Sequence, residues 1–124
     1  MTRLSEHFTS QEFACECGCG DDGIDPSLIV LLEWLRAAMG GQAVQINSGV
    51  RCADHNAKVG GSTHSQHLFG RAADVVVAEV LPDAVADFFD DCGVSDQIGI
   101  GRYDTFTHVD VRGTRARWDG RTVP

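Results

Sequence analysis

The spacing of apolar residues changes several times along the chain, and each change predicts an element. Leu28, Leu31, Leu32, Leu35 and Met39 recur at three- and four-residue intervals, the period of a helix with one buried face. Asp25 before Pro26 marks its start, and Gly40-Gly41 its end. Asp83 to Cys92 is a second amphipathic helix, with Pro82 near its start and Gly93 beyond it. Thr9-Ser10-Gln11-Glu12 has the spacing of a capping box and opens a short helix; another covers Asp54 to Lys58. Ala43 to Asn47 alternates, with Val44 and Ile46 on one face, and reads as a strand. Arg71 to Val77, ending in the β-branched run Val75-Val76-Val77, is a second strand. Gln97 to Gly101 and Phe106 to Val111 are two more, joined as a hairpin through Arg102-Tyr103-Asp104-Thr105. Cys15 to Gly23 and Gly60-Gly61-Ser62-Thr63 are glycine-rich loops, and Trp118 anchors a tail without a period of its own. The pattern predicts an α+β fold over residues 1–124 as one domain: a small, mostly antiparallel sheet with helices packed on one side.

Composition narrows the partners. The 124 residues are 43% hydrophobic and 23% charged, as in an ordinary globular domain, and a monomer is expected. The net charge of −8 leaves no basic surplus to displace counterions, which argues against nucleic acid and against anionic membranes. The longest apolar run, Leu28 to Leu32, is far too short to cross a bilayer. The N-terminus turns polar at once, so synthesis in a cytoplasm without a signal peptide is expected, with any work outside the cell following release. Five cysteines, an odd number, read as reduced thiols or metal ligands before disulfides.

The candidate chemistry lies in Ser65-Gln66-His67-Leu68-Phe69-Gly70-Arg71-Ala72-Ala73-Asp74 and in Thr107-His108-Val109-Asp110. Asp74 sits among Ala72, Ala73, Val75 and Val76, and His108 between Phe106 and Val109, where an ionisable group needs a partner. One cation shared by His67, Asp74 and His108 explains all three. Two imidazoles and a carboxylate with a fourth position open to water is the pattern of catalytic zinc.

The pattern Ser65-x-His67-x-x-Gly70-x-Ala72-x-Asp74, followed by His108-x-Asp110, resembles the zinc D,D-carboxypeptidase and endopeptidase family of peptidoglycan hydrolases, peptidase family M15. The resemblance extends upstream to Asn47-Ser48-Gly49-Val50-Arg51, His55-Asn56 and Gly60-Gly61, and downstream to Gly99-Ile100-Gly101 and Val109-Asp110-Val111-Arg112. These segments are most similar to small phage-endolysin-type members. The hedgehog signalling domain shares the metal arrangement, so the resemblance implies a hedgehog/DD-peptidase-like fold and the metal site before it implies the reaction.

The resemblance implies zinc on His67, Asp74 and His108, and peptidoglycan peptide stems as the substrate. Arg51 would bind a substrate carboxylate; Ser65 and His64 would stand on the substrate side. Gly70 would serve backbone geometry. The family carries an acidic residue three positions before the second histidine. Thr105 stands there in this chain, with Asp104 one step away, so Asp104 is the first candidate for the general base, and Asp110 and His64 are the others. The scissile bond could be D-Ala–D-Ala, L-Ala–D-Glu or a cross-bridge, cut on the cell wall after release or by a virion component. The alternative is a catalytically inactive zinc module that binds wall peptides or a protein partner, and the departure at Thr105 favours it. Cys15, Cys17, Cys19 and Cys52 could hold a second, structural metal; otherwise Cys15 or Cys17 pairs with Cys52 in an oxidising space, or the thiols stay reduced and partly packed.

Overall fold

The β-branched run that ends at Val77 is strand β2 of a five-stranded sheet in the computed structural model, which describes residues 2–122. The strands are β1 (Val44–Ser48), β2 (Ala72–Val77), β3 (Gly99–Arg102), β4 (Thr107–Asp110) and β5 (Ala116–Asp119). The helices are α1 (Ser10–Phe13), α2 (Pro26–Ala38), α3 (Ala53–Lys58) and α4 (Pro82–Asp91), with short 3-10 turns at Gln66–Phe69 and Ser95–Gln97. The sheet order is β1-β2-β4-β3-β5; the first three pairings are antiparallel, and β3 with β5 is parallel. The α+β architecture expected from the sequence is present, with a mixed sheet rather than a purely antiparallel one.

Local chemistry sets the helix starts. Asp25 Oδ1 accepts from Ser27 N at 2.9 Å and opens α2, with Pro26 at its first position. Thr9 N donates to Glu12 Oε2 at 2.7 Å, the reciprocal half of the capping box at α1. Cys52 Sγ takes the place of the usual oxygen cap at α3, accepting from His55 N.

One face of the sheet is the core. Val75 and Val77 of β2, Val109 of β4 and Ile100 of β3 pack with Leu28, Leu31, Leu32 and Leu35 of α2 and Val85, Ala86 and Phe89 of α4. Phe8 and Phe13 close the end of this layer. Each such side chain is worth roughly 1.5–3 kcal/mol when buried. The opposite face carries the polar residues. Because directly paired residues share a face, the register puts Ser48, Asp74, His108, Gly101 and Trp118 in one row across all the strands. Ser48 joins this row only because the register shifts between Ile46 and Ser48, a bulge that turns Ser48 away from the core face to which Ile46 belongs.

Two expectations need adjustment here. The hairpin strands are shorter than the apolar pattern suggested, and Ser95–Gln97 winds into a 3-10 turn before β3. The tail, which has no period of its own, adds a strand: Ala116–Asp119 pairs in parallel with β3. Its sequence, Ala-Arg-Trp-Asp, lacks alternation because Arg117, on the core-side register opposite Ile100, binds Asp90 Oδ1 at 2.7 Å instead of burying an apolar group.

Candidate metal centre and cleft

His67, Asp74 and His108 converge beneath a cleft of about 520 Å³. The Asp74–His108 pair is set by sheet register. His67 arrives on the 3-10 turn, whose entry is held by Ser65 Oγ accepting from His67 N at 3.2 Å. Gly70 ends that turn at φ +67°, where a Cβ would collide with the Gly23 carbonyl oxygen, so no other residue fits there without movement.

The inner atoms are close. Asp74 Oδ1 lies 2.9 Å from His108 Nδ1 and 3.3 Å from His67 Nε2. A tetrahedral ion with bonds of about 2.0–2.1 Å separates its ligands by roughly 3.3 Å, so this spacing fits zinc. The outer nitrogens are engaged elsewhere. His67 Nδ1 bonds the Gly49 carbonyl at 2.6 Å, and His108 Nε2 bonds Asp110 Oδ2 at 2.7 Å. Each acceptor fixes a tautomer that leaves the inward nitrogen free to ligate, the usual arrangement of a histidine behind a metal. The set is nitrogen, nitrogen and oxygen, open on the cleft side, which is the form of a catalytic rather than a closed structural site.

The electrostatics follow from these contacts. Burial resists ionisation of Asp74, but the adjoining His108 and His67 imidazoles outweigh it and hold the carboxyl below the usual range. Burial likewise opposes the charged form of His108, and Asp110 and Asp74 overcome it, raising its pKa. Asp110 is fully buried. Arg112 holds it from the other side through Nε to Oδ1 and Nη2 to Oδ2, both 2.8 Å. Glycines at 99 and 101 leave room on β3: a Cβ at Gly99 would strike the Asp110 carboxylate, and one at Gly101 would lie 2.5 Å from the Trp118 indole.

Around the centre, the cleft has two unlike walls. On one, Arg51 is braced by Ser48 Oγ at 3.2 Å, Asn56 Oδ1 at 3.3 Å and Asp74 Oδ2 at 3.5 Å. Ser65 and His64 stand near it. On the other, the Tyr103 and Phe106 rings stack at 4.4 Å, Trp118 Nε1 donates to Tyr103 Oη at 2.8 Å, and Arg112 lies over the indole. Arg51, Ser65 and His64, all singled out in the sequence, line the cleft. Tyr103, Phe106, Arg112 and Trp118 line it too and were not assigned to it from the sequence.

Both carboxylates favoured as the general base are displaced from that position. Asp104 does not line the cleft; its carboxylate accepts from Thr122 N at 3.2 Å and Thr122 Oγ1 at 2.8 Å, on a separate groove beside Arg121. The hairpin turn rotates it outward. Asp110 has its oxygens committed to His108 and Arg112 beneath the ligand set. Among the described residues that line the cleft, Asp74 is the only carboxylate, and His64 is the only histidine outside the ligand set.

Comparison with known proteins agrees with this geometry. The profile of the peptidase M15 family matches residues 6–110. A zinc D-Ala-D-Ala carboxypeptidase of Streptomyces albus G is 31% identical over 87 residues, which cover 70% of this chain and 34% of that protein. The match thus spans about a third of the length of that relative.

Proposed function

The chain belongs to the peptidase M15 family, and from that premise we propose that it is a zinc-dependent peptidase that cuts the peptide stems of peptidoglycan. The observation that carries the reading is the convergence of His67 Nε2, Asp74 Oδ1 and His108 Nδ1 under an open cleft, with both outer imidazole nitrogens already tied to acceptors. The relative's name supports zinc and a D-Ala-D-Ala substrate. Zinc held there would acidify a water and polarise a scissile carbonyl.

The chain's own residues do the rest. Arg51, fixed from three sides, presents a guanidinium to a substrate carboxylate, and this favours a bond close to a free C-terminus, as in D-Ala–D-Ala. Tyr103 Oη accepts from Trp118, which leaves its own O–H free to donate to the developing negative charge on a carbonyl oxygen. His64 takes the proton-transfer role in place of Asp104 and Asp110, because it is the remaining group on the cleft with a free imidazole nitrogen. The Tyr103–Phe106 stack offers a flat apolar wall to the alanine methyl groups of a stem.

Digestion of purified peptidoglycan, beside a zinc-stripped sample, tests this. Stem fragments that appear and vanish with the metal support the peptidase, and their masses name the bond: loss of D-alanine alone marks a carboxypeptidase, whereas internal cuts mark an endopeptidase of endolysin type. Release of fragments from intact cells by added protein would support action on the wall after release or from a virion. A second reading, a zinc-holding module that binds wall peptides without cutting them, is favoured because Asp74 is the only carboxylate among the described residues that line the cleft. Co-sedimentation with walls in the absence of any fragment would select it.

A further inference from the structure

Cys15, Cys17 and Cys19 lie on the loop between α1 and α2, and Cys52 caps α3, far away in sequence. Their four sulfur atoms nevertheless all fall within 4.8 Å of one another. Cys15 and Cys17 are 3.4 Å apart, Cys17 and Cys52 3.6 Å, and Cys15 and Cys52 3.8 Å. A disulfide would bring two sulfurs to about 2.0 Å and leave the other two outside it. Thiolates on a tetrahedral zinc, each with a bond of about 2.3 Å, stand roughly 3.8 Å apart. The spacings among Cys15, Cys17 and Cys52, 3.4–3.8 Å, approach that of the tetrahedron, and Cys19 lies within 4.8 Å of all three.

The surrounding backbone suits bound thiolates. Cys52 N donates to Cys15 Sγ and His55 N to Cys52 Sγ, both at 3.4 Å. Gly18 and Gly20, at φ +82° and +90°, make the tight reversals that let three cysteines in a row of five residues face one point. Residues 16–23 are Glu-Cys-Gly-Cys-Gly-Asp-Asp-Gly, without a single large apolar side chain to hold the loop against the core. Three acidic residues and three flexible glycines would not otherwise order such a segment.

We propose that Cys15, Cys17, Cys19 and Cys52 bind a second metal ion, a closed tetrahedral zinc of structural type. It is distinct from the centre at His67, Asp74 and His108, and the proposal stands whether or not that centre supports catalysis. Its place in the fold gives it a job. Cys52 follows Arg51, whose N–H donates to the His67 carbonyl at 3.0 Å. At the far end of the loop, Asp25 N donates to the Gly70 carbonyl at 2.8 Å. The second ion therefore staples the N-terminal strap to the two segments that carry Arg51 and His67. Tetrathiolate sites also accept iron, so the identity of the ion is part of the test.

Protein purified under reducing conditions and analysed for metals should carry two zinc ions per chain. Cys17→Ser and Cys19→Ser should each lose one, and His67→Ala should lose the other. Cobalt(II) in the His67→Ala protein should show sulfur-to-metal charge-transfer absorption that the Cys17→Ser protein lacks. Should the cysteine variants fail to fold, native alkylation answers instead. Cys17 and Cys19 are exposed, so as free thiols they would react at once. Bound to metal, they and Cys15 and Cys52 should resist iodoacetamide until a chelator is added, while Cys92 reacts independently of the chelator. Iron in place of zinc would keep the site and overturn the assignment of the ion. One metal per chain, lost in His67→Ala and kept in Cys17→Ser, would overturn the proposal, as would immediate alkylation of Cys17 and Cys19 or a Cys15–Cys52 or Cys17–Cys52 disulfide in the freshly purified protein.

Discussion

Asp110 shows how one residue can shape the centre without facing the cleft. Its Oδ2 holds His108 Nε2 at 2.7 Å, and its burial is complete. Asp110→Asn should weaken zinc binding by roughly 10- to 100-fold, since the partner behind a ligating histidine sets its orientation and basicity; competition against a chelator measures this, and unchanged affinity would count against the role. His64→Gln should lower kcat about 10²- to 10⁴-fold with zinc content unchanged, the cost of losing a proton-transfer group; equal kcat in wild type and variant would remove His64 from the chemistry. Asp74 and His108 were legible in the sequence as candidate ligands because each is an ionisable group in an apolar neighbourhood that demands a partner, and His67 was legible from its motif. The sequence left the base open among Asp104, Asp110 and His64, because the way a turn and a strand aim the two carboxylates depends on hairpin register and on Arg112, two residues beyond Asp110.

Among the elements, the 3-10 turn that delivers His67 is the most exposed to disruption. Gly70→Ala would cost roughly 1–2 kcal/mol for left-handed backbone alone. It would cost more here, because the new Cβ meets the Gly23 carbonyl. A denaturation midpoint unchanged by Gly70→Ala would contradict this geometry. On the other side of the sheet, Asp90 of α4 links Arg102 of β3 to Arg117 of β5. Burial alone would raise its pKa, but the hydrogen bonds from Arg117 and Arg102 win and lower it. A carboxylate with a depressed folded pKa contributes stability that is fully present above its unfolded value, near 3.9, and is lost as pH falls through the folded value. The stability gap between wild type and Asp90→Asn should therefore be constant at neutral pH and narrow below about pH 4; urea titrations across that range measure it, and a gap that widens in acid would refute the pairing. The helices were legible from their caps and apolar period. β5 was not, because a four-residue edge strand with half-buried arginine and tryptophan carries no alternation, and its parallel partner lies back along the chain beyond β4.

At the scale of the whole molecule, the two sheet faces divide the labour. The helices α2 and α4 bury one face, and the other carries the row Ser48, Asp74, His108, Gly101 and Trp118. Phe89→Ala, in the layer beneath that row, should destabilise the fold by about 3–5 kcal/mol while leaving the ligand atoms in place; calorimetry with and without added zinc would separate the two effects. The fold class was readable because helical and strand periods alternate cleanly along the chain. The cleft was only half readable: its Arg51 wall comes from one continuous stretch of sequence, whereas its aromatic wall is assembled from Tyr103, Phe106 and Trp118 only when β5 docks.

On the proposed reading, peptide cleavage depends on zinc held by His67, Asp74 and His108. Adding zinc back to stripped protein while following release of stem fragments from purified peptidoglycan, with His108→Ala in parallel, tests it most directly. The account predicts that cleavage returns in the wild type and does not return in His108→Ala at any zinc concentration. Cleavage by His108→Ala at the wild-type rate would contradict it, and so would a fully zinc-loaded wild type that releases nothing.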